Sequence, residues 1–145
     1  MRTIHRSALV PYTPDEMYGL VNDVERYPEF LPWCRSARIE GRQENQIEAS
    51  LELARGGVHK WFTTRNRLTP GERIDIELVD GPFRRLAGAW QFQSLNGEGC
   101  KVVLDMRFEI ANPMLGMMLG PVFHQVCNSM VDAFIRRARD IYGSR

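Results

Sequence analysis

The sequence is short of the features that announce chemistry. Its three cysteines, Cys34, Cys100 and Cys127, are odd in number and far apart. That spacing argues against a disulfide framework and fits a reducing compartment. No CxxC pair and no neighbouring base accompanies them, which argues against a catalytic thiol. His5, His59 and His124 fall in three separate segments without metal-ligand spacing. Gly56-Gly57 and the run Asn96-Gly97-Glu98-Gly99 sit between alternating segments, where they read as hairpin turns rather than phosphate-binding loops. The carboxylates Asp15, Glu16, Asp23, Glu25 and Glu29 fall on a helix start and a polar face, so no acid/base pair stands out. Catalysis is therefore not expected. The N-terminus lacks the apolar run of a signal peptide. With no repeat, linker or low-complexity stretch, one domain over residues 1–145 is expected, in the cytoplasm.

An excess of one charge is missing as well. Nineteen Lys and Arg face eighteen Asp and Glu, a formal net charge of +1. A polycation that grips nucleic acid by bulk charge is excluded, and any such contact has to come from a local patch. One uncharged run does exist, from Ile110 to Val131. It is long enough to span a bilayer, but Asn112, Pro113, Pro121, His124, Gln125, Asn128 and Ser129 interrupt it at a cost in lipid. It reads instead as a helix with one face buried by protein.

What is present is pattern. The 43% hydrophobic fraction is too high for a disordered chain, and its spacing changes twice. Residues 3–10 alternate as a first strand that ends at Pro11. Thr13 then caps a helix opened by Pro14, with Met17, Leu20, Val21 and Val24 at helical spacing. Pro28 and Pro32 break the next stretch into short helical pieces and a turn. From Trp33 onward the period becomes two. Strands are expected over 33–40, 45–54, 58–68, 74–78, 86–92 and 100–110, the last with Cys100, Val102, Leu104, Met106, Phe108 and Ile110 on one side. Asn112 caps and Pro113 opens a long final helix with apolar residues at Leu115, Leu119, Val122, Val126, Met130, Phe134, Ala138 and Ile141. Gly120-Pro121 is expected to kink or interrupt it. The expected class is α+β. A curved, seven-stranded antiparallel sheet wraps a long C-terminal helix, with two short helices after the first strand. Such a sheet leaves a natural cavity for an apolar ligand against the helix.

That order is similar to the helix-grip fold of START and Bet v1-like proteins. Three segments resemble the coenzyme Q-binding START family more narrowly: Leu9-Val10-Pro11-Tyr12, Val21 through Pro32, and Val79 through Trp90. Within it, Phe62-Thr63-Thr64-Arg65-Asn66 and Met130-Val131-Asp132-Ala133-Phe134 resemble the bacterial ribosome association toxins. The quinone-binding branch implies a non-enzymatic carrier of ubiquinone, or a similar isoprenoid lipid, that supports respiration. The toxin branch implies binding to the large ribosomal subunit and a block on subunit association. Polyketide cyclases share the fold, which keeps an enzyme as a third class. Fold alone does not choose among them, and quinone binding is the expectation placed first.

For a quinone, the candidate lid is Phe30, Leu31 and Trp33, and the candidate wall is Leu78, Leu86, Trp90 and Met106 by strand parity. Met114, Met117, Met118 and Phe123 supply adaptable side chains from the final helix. For phosphate, whether rRNA or lipid headgroup at a transiently touched membrane surface, the candidates are Arg65, Arg67, Arg84 and Arg85. A ribosome contact requires these arginines to cluster.

Overall fold

The computed structural model of the protein describes residues 1–96 and 98–145. Strand β1 (Arg2–Val10) is followed by helix α1 (Pro14–Asn22) and a 3-10 turn of helix (Val24–Glu29). Six strands come next: β2 (Cys34–Gln43), β3 (Gln46–Arg55), β4 (Val58–Thr69), β5 (Arg73–Asp80), β6 (Phe83–Ser94) and β7 (Cys100–Ile110). Helix α2 (Pro113–Tyr142) closes the chain. The strands form one antiparallel sheet in the order β1-β7-β6-β5-β4-β3-β2. The helix-grip architecture expected from the spacing is what forms.

Local chemistry explains the punctuation. Thr13 and Glu16 make a reciprocal capping box at α1, each side chain accepting from the other's backbone N–H. The Asn112 side chain accepts from the Met114 and Leu115 amides at the start of α2. Gly56 and Gly57 both take positive φ in the two-residue link between β3 and β4, which joins strands of matching twist. The turn expected at Asn96–Gly99 contains Gly97, which lies outside the described residues.

The sheet buries one face against α2. On β7, Cys100, Val102, Leu104, Met106 and Phe108 are buried, while the intervening Lys101, Asp105 and Arg107 are not. From α2, Leu119, Phe123, Val126, Phe134 and Ala138 meet them. Two aromatic clusters occupy this layer. Phe123 packs edge-on against Phe62, Phe83 and Phe108, and Phe134 against Tyr27, Phe30 and Trp90.

Two expectations need correction here. Helix α2 is not interrupted at Gly120-Pro121 and runs through both. Pro121 removes only the hydrogen bond to the Met117 carbonyl; Pro121 and Met117 are both exposed, so water reaches that oxygen, while Gly120 is buried beside the Arg2 side chain. Ile141, expected on the apolar stripe, is exposed.

Candidate functional site

The concave face of the sheet and α2 enclose a cavity of about 60 Å³. Of the expected wall and lid, Trp33, Leu86, Trp90, Met106 and Phe123 line it. Leu78 is half-buried against the core without reaching the cavity. Phe30 and Leu31 are not a lid over an open mouth. Leu31 is buried, and Phe30 lies edge-on to Phe134 with the Arg137 guanidinium 4.8 Å over its ring. Arg137 also pairs with Glu29 at 2.9 Å, which fastens the 3-10 segment to α2 and holds the Glu29 carboxyl below the usual range.

The methionines are the larger correction. Met114 and Met117 are 80% and 81% exposed, and Met118 is exposed with them. They form their own helical stripe, turned away from the stripe of Leu119, Phe123 and Val126 that faces the sheet. The cavity wall is completed instead by Tyr27, Thr64, Asn66, Val126, Cys127 and Met130.

Thr64 and Asn66 are the residues sequence reasoning missed. They share the inward parity of Phe62 on β4, and they are buried where an apolar pair would be ordinary. A polar doublet on the apolar parity was the available signal. Thr64 Oγ1 donates to Asn66 Oδ1 at 3.0 Å. Trp33 lines the same cavity, and its buried Nε1–H has no hydrogen-bond acceptor among the described residues. Tyr27 is satisfied, donating to the Val21 carbonyl, and burial pushes its phenol well above the ordinary range.

The cysteines offer no nucleophile. Burial pushes Cys34 and Cys127 up to about 12 and Cys100 up to about 11, aided at Cys34 by the Glu52 charge and at Cys100 by Glu16. Only the thiolate reacts. At about pH 8 the folded protein is therefore expected to resist a thiol-titrating disulfide reagent that labels all three cysteines in denaturant. Reactivity in the fold should rise only as pH approaches the raised values, and rapid labelling of the native protein at neutral pH would contradict the burial described. Among the described residues no His, Cys, Asp and Glu cluster could hold a metal ion. His5 pairs with Asp105 and His59 with Glu52.

All four candidate arginines lie on the outward side of the sheet. Arg65 sits between Glu48 at 2.8 Å and Glu77 at 3.4 Å, and Arg67 also reaches Glu77. A register shift between Phe83 and Arg85 lets Phe83 and Leu86 both point inward while Arg84 and Arg85 both stay exposed. Arg84 pairs with Glu109 at 3.3 Å. Arg85 has no ion pair among the described residues, and neither has exposed Arg107, its diagonal neighbour across β6 and β7. The arginines are thus interleaved with carboxylates. An open hollow of about 500 Å³ over Ala87, Gly88 and Ala89 is rimmed by Arg67, Arg73, Asp75, Glu77, Asp105 and Arg107, cations and anions in equal share.

A seven-stranded grip on one long helix, with a small and mainly apolar cavity between them, defines a START/Bet v1-like protein. The chain belongs to the family described as polyketide cyclase / dehydrase and lipid transport, whose profile matches residues 10–135. It is 48% identical over 140 residues to the ribosome association toxin RatA of Pseudomonas aeruginosa, covering 97% of each chain. It is 44% identical over 143 residues to RatA of Vibrio cholerae, covering 99% of each. A mitochondrial coenzyme Q-binding protein of Dictyostelium discoideum is similar at 25% over 141 residues, 92% of this chain and 67% of that one. Among solved structures, a Streptomyces aromatase/cyclase superimposes with a TM-score of 0.84 at 20% identity over 99% of each chain, a likeness of fold. An 18 kDa protein of Caulobacter crescentus gives 0.77 at 29% identity, over 99% of this chain and all of that one. Among the described residues no helix is long and apolar enough to cross a membrane.

Proposed function

We propose that this protein is a ribosome-directed toxin that binds the large subunit and blocks its association with the small one. The observation that carries this is full-length likeness to RatA proteins at 43–48% identity. Likeness to the coenzyme Q-binding relative stands at 25%. The order of the two readings is therefore the reverse of the one the sequence suggested. The contact surface is the convex face around Arg85 and Arg107 on β6 and β7, two exposed arginines that form no ion pair among the described residues although Glu109 lies opposite Arg85. With a net charge of +1, such a contact is local and fades with salt.

The test is a sucrose gradient of purified bacterial subunits at associating magnesium, with the protein in stoichiometric excess. The expected result is loss of the 70S peak with growth of both free subunits. An Arg85→Glu/Arg107→Glu variant should lose most of this effect while melting like the parent. An unchanged 70S peak overturns the reading.

A second reading, binding of a hydrophobic ligand such as ubiquinone, is favoured by the cavity itself. Ordinary ligand pockets occupy about 300–1,000 Å³, against about 60 Å³ here. A quinone ring would have to displace Met106 and Met130, the two adaptable side chains of the wall.

A further inference from the structure

Besides the satisfied Tyr27 and the Cys127 thiol, the polar side chains lining the cavity are Trp33, Thr64 and Asn66, contributed by the segment before β2 and by β4; of these three, Trp33 alone is buried with an unpartnered polar atom. Trp33 is 3% exposed, and its Nε1–H finds no acceptor among the described residues. Leaving such a donor dry is costly, and a ligand that supplies an acceptor recovers that cost. Asn66 is 9% exposed; its oxygen accepts from the Thr64 hydroxyl at 3.0 Å, and its NH₂ supplies the pair's two amide donors. The cavity therefore presents donors in excess of acceptors. No Lys, Arg, His, Asp or Glu side chain lines it, so a charged ligand would be buried without a counterion.

We propose that this cavity is a head-group site for a neutral, apolar molecule that ends in a hydrogen-bond acceptor, a ketone or quinone-type carbonyl oxygen received by Trp33 Nε1–H and the Asn66 amide. The proposal deepens the ligand-binding reading and is independent of the ribosome reading. The volume of about 60 Å³, against about 300–1,000 Å³ for ordinary ligand pockets, admits only a small group without rearrangement. A small head therefore enters first, and anything longer follows only as Met130 and Met106 swing aside. Water can occupy the same position, but it must also place its own two protons, for which Trp33, Thr64 and Asn66 offer only Thr64 Oγ1 and the second lone pair of Asn66 Oδ1. A carbonyl oxygen makes no such demand.

The experiment uses two probes of one shape, cyclopentanone and methylenecyclopentane, the second lacking the acceptor. Each is titrated into the full-length protein labelled at the indole nitrogens and methionine methyls, and followed by NMR. The Met106 and Met130 methyls report entry of either probe, while the Trp33 indole N–H, assigned with Trp33→Phe, reports the hydrogen bond. The ketone is expected to bind about tenfold more tightly, the worth of one net hydrogen bond at the upper end, and to move the indole proton downfield. In Asn66→Leu, a near-isosteric variant, that preference should shrink severalfold. If the hydrocarbon binds as well as the ketone, the acceptor site is overturned while ligand binding survives. If neither perturbs the methionine methyls, both fall.

Discussion

Phe134→Ala should destabilise the protein by about 3–5 kcal/mol. Phe134 is 0% exposed, at the point where α2, the 3-10 segment and β6 converge. Its ring lies edge-on to Tyr27, Phe30 and Trp90 at centroid distances of 5.4, 5.1 and 5.3 Å. Truncation removes a transfer contribution and leaves a void that the large rings of the 3-10 segment and of β6 cannot collapse into. The edge-to-face pairs add about 0.5–1.5 kcal/mol each beyond area. Against a total stability of roughly 5–15 kcal/mol for a domain, this is a large share. Urea titration should show the midpoint falling at constant slope. Met117→Ala, on the same helix but exposed, is the control and should stay within about 0.5 kcal/mol of the parent. A loss under about 1 kcal/mol for Phe134→Ala would mean that the rings do not meet as described.

Gly88→Ala tests the sheet from the other side, because two effects predict opposite signs. Glycine in a strand interior is entropically costly, so alanine would ordinarily stabilise by about 0.5–1 kcal/mol. Here a Cβ at position 88 would run into the Asp105 carbonyl oxygen and the Met106 sulfur across the β6–β7 pair. The sulfur ends a flexible side chain and can move; the carbonyl belongs to the backbone ladder and cannot. Overpacking of this kind costs about 1–3 kcal/mol, so the net change should be a loss. Thermal melting decides it, and a raised midpoint would reject the close approach of β6 to β7.

Much of this architecture is legible in the residues. The alternation on β7, the capping residues Thr13 and Asn112, and the Gly56-Gly57 link all act through local sterics and hydrogen bonds, which a sequence states directly. The methionines were misplaced for a physical reason. Met114, Met117 and Met118 are spaced as a helical stripe, and spacing gives a period without saying which stripe faces the sheet. The phase is set by the heavier stripe of Leu119, Phe123, Val126 and Phe134. Cavity volume was beyond reach, since it depends on sheet curvature and on the rotamers of Met106 and Met130. The arginines show a related limit. Parity correctly turned Arg65 and Arg67 outward, but their neutralisation by Glu48 and Glu77 depends on cross-strand register.

The pairing of β1 with β7 also bears on how the chain comes into being. Val10 lies opposite Cys100 and Ile4 opposite Met106, so the first strand made has no partner until nearly the last one exists. At a synthesis rate of about 5–20 residues per second, that wait lasts on the order of five to twenty seconds. Helix α2, which covers the concave face, emerges later still. The apolar face of the sheet thus stays open until the last segment is made, and it closes in one late, long-range step of the kind that makes high-contact-order proteins slow to fold.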